Sequence, residues 1–383
     1  MTNKEYADFL LKTDYDYNYY LEKYPKRALK EGQMVTRFAP SPTGFVHMGS
    51  LYTSFSDLQF AKQTNGICYL RIEDTDQERE VEGAIDFIYN TLDLCGFKID
   101  EGPNNEKEYG PYIQSERKDI YKEYALKLVE MGKAYYCFCS EEELTKMREK
   151  ADARKKPFLY DGRCSRLSKE KIEENLKNNV PYVIRQKMPK EGVTIVEDLI
   201  YGKVKIDNSI LDDQILLKSD GFPTYNFANV IDDHLMEITH VIRGKEYLDQ
   251  TAKYNLLYEA FGWEKPTYIH VAMVLGEDGN KLSKRNGDAS FMDLYNEGYL
   301  PEAIVNYLSL LGWSPETNQE VFSMEELISN FNEERISKSS SQYDVKKLKW
   351  FNHQYINKMD DEKYLSWIKK YFSRNRFGSV FQS

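Results

Sequence analysis

The chain has 383 residues, 41% of them apolar, enough for two or three domains with cores of their own. No apolar run approaches the roughly 18 residues of a membrane helix, and Met1 to Phe9 has neither a basic start nor an apolar centre, so neither a span nor a secretory signal is expected. A net charge of −10 argues against a dedicated basic nucleic-acid binder while leaving room for a local basic face.

In chain order, residues 1–32 are polar and Tyr-rich, with an amphipathic helix expected at Lys4 to Leu11, and read as an N-terminal extension. Met34 to Phe38 is an apolar strand; Pro40, Pro42 and Gly44 then break regular structure before a helix beginning near Ser50, whose buried stripe is Leu51, Phe55 and Leu58. Ile67 to Ile72 is a second strand ending in Glu73-Asp74-Thr75-Asp76, and Val81 to Leu94 a helix closed by Gly96. This β-α-β-α order predicts a parallel sheet whose ligands gather at strand C-terminal ends, with Arg37 and Glu73 facing one crevice. From about Glu116 to Asp207 the pattern changes to charged helices, three cysteines and short strands (Tyr182 to Lys187, Lys203 to Asp207), as in an insertion. The alternation resumes with Ile215 to Lys218, Pro223 to Val230, Ile238 to Ile242 and the helix Glu246 to Phe261. Tyr268 to Leu275 is a further strand, and the turn Glu277-Asp278-Gly279-Asn280 presents Lys281 to Arg285. From Pro301 onward the chain is mostly helical, with Gly312 as a C-cap.

Two short stretches carry the chemistry. Ser41-Pro42-Thr43-Gly44-Phe45-Val46-His47-Met48-Gly49-Ser50 sets a histidine and small residues where a strand turns into a helix, and a helix N-terminus attracts phosphate. Gly49, lacking a side chain, lets a base or ribose approach the backbone. His47 can donate to a phosphate oxygen. Lys281 and Lys284, in Lys281-Leu282-Ser283-Lys284-Arg285, are point charges suited to a triphosphate in its transition state. Together they read as a split ATP site.

These residues resemble the glutamyl-tRNA synthetases, class I enzymes of the glutamate/glutamine subgroup, from about Val35 to Ile356. Arg37-Phe38-Ala39-Pro40-Ser41-Pro42-Thr43-Gly44 is similar to that family's N-terminal signature. His47-Met48-Gly49-Ser50 and Lys281-Leu282-Ser283-Lys284-Arg285 are its versions of the two class I motifs, and Arg71 to Asp76, Thr224 to His234 and Val241 to Glu246 match further segments in order. The resemblance implies a Rossmann-like α/β catalytic domain (33–115 and 208–262) split by an α/β acceptor-binding insertion (116–207). A mostly helical stem-contact domain (263–360) carrying the lysine loop and the start of an anticodon-binding region (361–383) would follow. It implies glutamate activation by ATP with Mg²⁺ to glutamyl-adenylate, then transfer to tRNA(Glu), by a cytoplasmic monomer. His47, Lys281 and Lys284 would stabilise the triphosphate, and Ser41, Gly49 and Glu246 would line the ATP side.

Glutamate brings two carboxylates and an ammonium, so its pocket needs about two cations and an anion. Arg37 and Arg243 supply the cations and Glu73 the anion, while Tyr225, Asn229 and Ser41 complete the hydrogen bonds by similarity. A neutral amide would leave Arg243 buried without a partner, at about 3–5 kcal/mol, so glutamine is disfavoured. Typical family members continue a hundred or more residues beyond Ser383. Two alternatives therefore stand: a short paralogue that glutamylates a modified tRNA nucleoside, or a catalytically weak tRNA-binding fragment. The retained lysines favour the synthetase.

Cys137, Cys139 and Cys164 lie within 28 residues, and three thiolates plus one further ligand satisfy a closed tetrahedral zinc site; buried free thiols are the alternative. No histidine falls between them. A zinc-bearing subset of the family shows the same spacing with a tyrosine, which implies Tyr160 as the fourth ligand. Cys68 and Cys95 read as small buried hydrophobes.

Overall fold

The computed structural model describes residues 13–42, 46–79, 81–276, 278–280, 282 and 290–374. The expected helix at Lys4 to Leu11 and the residues Lys281, Ser283, Lys284 and Arg285 lie outside the described residues.

The strand after the N-terminal segment is β1 (Val35–Phe38), buried along its whole length and paired in parallel with β2 (Ile67–Leu70). The helix Met48–Gln63 connects them. It is buried around most of its circumference, from Met48 through Ala61, because the sheet covers one side and the later helix Pro301–Gly312 the other. Gly312 serves that packing and not the expected cap: it is the last helical residue, the C-cap is Trp313, and a Cβ on Gly312 would overlap the Tyr52 hydroxyl.

The insertion folds on a small antiparallel sheet in the order β3-β4-β7, built from β3 (Ala134–Cys137), β4 (Val183–Gln186) and β7 (Ile215–Leu217). The hairpin β5 (Val193–Asp198) and β6 (Gly202–Asp207) instead reaches the main sheet, where β5 pairs with β9 (Thr267–Val271) and β9 with β8 (His240–Gly244). Both pairings differ from expectation, since β7 was read as resuming the main sheet and β6 as part of the insertion. Periodicity identifies a strand, whereas its partner is fixed by non-local packing. The Val35 amide donates to the Thr239 hydroxyl at 2.8 Å and the Thr239 amide to the Val35 carbonyl at 3.1 Å, setting β8 beside β1. The expected strand Tyr268 to Leu275 is broken at Ala272 and Met273, both of which line the cavity described next.

Among the described residues, no helix is long and apolar enough to cross a membrane.

Candidate active site

A cavity of about 420 Å³ opens where β1 and β8 end, as the rule for parallel sheets expects. Its lining includes Arg37 and Ser41 from the end of β1, His47 and Gly49 from the following helix, Tyr225, and Arg243 and Glu246 from the end of β8. His47 occupies the N-cap position with extended backbone (φ −76°, ψ 156°), where the first-turn amides face ligand space. A Cβ on Gly49 would meet nothing within 4 Å, so the cavity is open against its backbone. Leu282 is buried in the same wall and its amide donates to the Val274 carbonyl at 3.1 Å.

The two arginines singled out from the sequence are held differently. Arg37 donates from Nε and Nη2 to Asp233 at 3.0 and 3.2 Å, a bidentate pair with both side chains buried. Arg243 is buried too, yet no carboxylate lies within ion-pair distance of it among the described residues. It donates to His270 Nε2 at 3.2 Å and to the Thr251 hydroxyl at 2.9 Å, and its guanidinium sits 4.6 Å from the Tyr254 ring centre. His270 is held in turn by Asp198, whose Oδ2 accepts from the His270 amide at 3.0 Å and from Nδ1 at 2.7 Å. Oδ2 is an acceptor, so the proton is on Nδ1 and Nε2 is free to receive the Arg243 N–H. Burial lowers the His270 pKa, which keeps the ring neutral in this role.

Behind the lining, Glu73 and Asn229 are each 2% exposed. Glu73 Oε1 accepts from Arg71 Nη2 at 2.9 Å, while Oε2 has no partner. Asn229 Nδ2 is likewise buried and unpartnered. A buried orphaned acceptor, a buried orphaned donor and a cavity-lining guanidinium without a carboxylate partner among the described residues suit a zwitterion carrying an extra carboxylate. Burial pushes the Glu73 carboxyl up to about 7, against the opposing pull of Arg71 and Arg37.

Arg71 ties the pieces together, reaching Asp233 at 2.8 Å and Asp232 at 3.8 Å as well as Glu73. Asp57, on the helix after β1, also lines the cavity; its Oδ1 is buried without a partner and burial raises its carboxyl well above the usual range. Sequence reasoning missed Asp57, Asp198, Thr251 and His270, and quoted Arg71, Asp232 and Asp233 only as part of motifs. The run Arg71-Ile72-Glu73-Asp74, charges directly after an apolar strand, was the one available signal.

The cysteine cluster lies away from this cavity, at the end of β3. The Sγ atoms of Cys137, Cys139 and Cys164 all fall within 4.8 Å of one another, and Cys139 and Cys164 are 3.6 Å apart. Ligands about 2.3 Å from one tetrahedral centre would be separated by just under 4 Å, so the trio fits zinc. The Tyr160 hydroxyl is 3.3 Å from both Cys137 and Cys139. Hydrogen bonds, first from Cys164 and then from Tyr160, hold the Cys137 thiol down to about 4. The phenol itself is raised by burial and by its sulfur neighbours, so it keeps its proton, and a metal bound to it would have to displace that proton. The Arg185 guanidinium, 4.2 Å from the Tyr160 ring centre, offsets the anionic charge of such a cluster. Cys68 and Cys95 are buried in the main core, as expected.

A helix N-terminus opening onto a cavity at the ends of parallel strands is the arrangement expected of a class I aminoacyl-tRNA synthetase. The profile of the class I tRNA synthetases (E and Q), catalytic domain, matches residues 33–350, and the chain belongs to this family. It is similar to the glutamate–tRNA ligase of Clostridium novyi (strain NT), with 58% identity over 337 residues, 88% of this chain and 68% of that protein. The glutamate–tRNA ligase of Clostridium botulinum (strain Eklund 17B / Type B) is 59% identical over 324 residues, 85% and 67% of the two chains. A crystal structure of a glutamate tRNA ligase from Elizabethkingia meningosepticum CCUG26117, in complex with its amino acid, superposes with a TM-score of 0.84. It is 40% identical, and the match covers 90% of this chain and 74% of that one.

Proposed function

We propose that the protein attaches L-glutamate to the 3′ end of tRNA, using ATP. The α-carboxylate of glutamate attacks the α-phosphate of ATP and pyrophosphate leaves. A hydroxyl of the terminal ribose then attacks the carbonyl of glutamyl-adenylate, and AMP leaves. No protein nucleophile is needed, so positioning and charge stabilisation carry the catalysis. The observation that carries the reading is Arg243, a buried guanidinium with no carboxylate partner among the described residues, lining the cavity at the ends of β1 and β8.

Arg243 and Arg37 receive the two carboxylates, and Glu73 receives the ammonium. Arg37 enters already paired with Asp233, so a substrate carboxylate shares it. Tyr225 and Ser41 complete the hydrogen bonds. His47, at the open helix N-terminus, and Gly49 face the ATP phosphates and adenosine, with Glu246 on the adenosine side. Lys281 and Lys284 stabilise the triphosphate, and Mg²⁺ supplies further neutralisation of its oxygens when bound. The two alternatives weighed from the sequence are not favoured, given 57–59% identity to glutamate–tRNA ligases over most of the chain. The test is pyrophosphate exchange into ATP in the presence of tRNA: glutamate is expected to support it and glutamine to fail. Equal exchange with both amino acids would remove Arg243 from its assigned role.

Glu73 gives the reaction a pH dependence. Its carboxyl is raised to about 7, so it loses its charge as pH falls through that value and no longer pairs with the ammonium. The KM for glutamate is therefore expected to rise as pH drops from about 8 to about 6, by roughly tenfold per unit once below the pKa. The dependence should vanish in Glu73→Gln; a flat wild-type profile, or the same slope retained in that variant, would exclude this assignment.

The cluster Cys137, Cys139, Cys164 and Tyr160 would hold a structural zinc, which would tie the end of β3 to the loop carrying Tyr160 and Cys164 in the insertion assigned to the tRNA acceptor end. Purified protein is expected to carry about one zinc per chain, and Cys137→Ser to lose it. Stoichiometric zinc in that variant would refute the ligand set.

A further inference from the structure

We infer that the N-terminal segment, residues 17–32, is a strap that positions the glutamate pocket; this rests on the pocket's assignment above. The segment is fixed at two points. The Tyr24 hydroxyl accepts from Arg117 Nη1 at 3.2 Å and donates to the Gly110 carbonyl at 3.2 Å. Arg27 donates from Nη1 and Nη2 to Glu101 at 2.6 and 2.8 Å, and from Nε to the Met236 carbonyl at 3.0 Å, while stacking 3.7 Å over the Tyr109 ring.

Both points grip the same helix, Tyr225–Leu235. Arg117 Nε donates to Asp232 Oδ1 at 2.7 Å in the last turns of that helix, and Met236 is its C-cap. The helix carries Tyr225 into the pocket lining and Asp233 to Arg37 and Arg71, and Asn229 lies buried on it between them in sequence. A continuous buried network therefore runs from the neutral Tyr24 hydroxyl to the charges of Arg117, Asp232, Arg71 and Glu73. Each member is fully or nearly fully buried, so a loosened partner leaves an uncompensated charge and the neighbours shift to meet it. The strap thereby sets the rotation of the helix, and with it Asn229 and the Asp233 partner of Arg37. Tyr24 and Arg27 are positioning residues in this arrangement.

The test uses the full chain with Tyr24→Phe and Arg27→Lys, and Leu21→Ser, at an exposed position of the same segment, as control. Tyr24→Phe, which removes one buried hydroxyl, is expected to raise the glutamate KM by about three- to tenfold, and Arg27→Lys, which breaks a buried bidentate pair, by at least as much with a lowered unfolding midpoint, the ATP KM being unchanged in both. Hydrogen exchange should quicken at residues 229–234 and 71–73 in these variants and not in Leu21→Ser. A glutamate KM within about twofold of wild type in both, or glutamate and ATP constants shifting together with stability, overturns the strap. If the wild-type chain shows no glutamate-dependent reaction, the pocket's assignment falls instead, and exchange unchanged at 229–234 in Tyr24→Phe still refutes the strap by itself.

Discussion

Arg243→Ala is expected to lower glutamate activation by roughly 10²- to 10³-fold while leaving ATP binding intact. Three features produce that magnitude. The guanidinium is buried and has no carboxylate of its own among the described residues, and on the proposed reading a substrate carboxylate is its partner. It is already oriented by His270, Thr251 and the Tyr254 ring, so little ordering is lost on binding. The alanine variant also takes one donor from His270 Nε2, leaving it only the Thr251 hydroxyl at 3.2 Å. Steady-state exchange kinetics with varied glutamate and varied ATP read the effect separately for each substrate. A loss confined to ATP would mean that Arg243 serves the nucleotide.

Asp233→Leu should cost about 3–5 kcal/mol of stability, the second large effect. Asp233 is the shared anion of Arg37 and Arg71, bidentate to one and 2.8 Å from the other, and all three side chains are buried. The two guanidinium groups hold its carboxyl below the usual range, even though burial pushes the other way. Removing it leaves the two guanidinium groups with Glu73 and the more distant Asp232 beside Arg71, and with Asp57, which makes no ion pair among the described residues, near Arg37. Urea unfolding of the variant beside wild type measures the difference. A loss below about 1 kcal/mol would mean that Asp57 or solvent compensates, and that the network is not held through Asp233.

How far the site could be read from the sequence depended on how local each part is. Strand ends, the His47 turn and the cysteine spacing are encoded in runs of a few residues, and the structure brings Arg37, Ser41, His47, Gly49, Tyr225, Arg243 and Glu246 around one cavity. Cys137, Cys139 and Cys164 also meet. What could not be read is the support behind those residues. His270 and Asp198 are 72 positions apart and meet only because β5 pairs with β9, a pairing that strand periodicity does not specify. Arg37 looks the same in sequence whether or not Asp233 neutralises it, so the difference between the two pocket arginines emerged only with the fold. Gly312 shows the same limit: a glycine after a helical run suggests a cap, whereas here it makes room for Tyr52.

The central claim is that this cavity selects glutamate and that the chain transfers it to tRNA. The most direct measurement incubates the protein with ATP, Mg²⁺, tRNA and either radiolabelled glutamate or radiolabelled glutamine, and follows base-labile label on the tRNA. Ester-linked label with glutamate, none with glutamine, and none with glutamate in Arg243→Ala is the predicted result. Label from glutamine at a comparable rate, or glutamate attachment undiminished in Arg243→Ala, would contradict it.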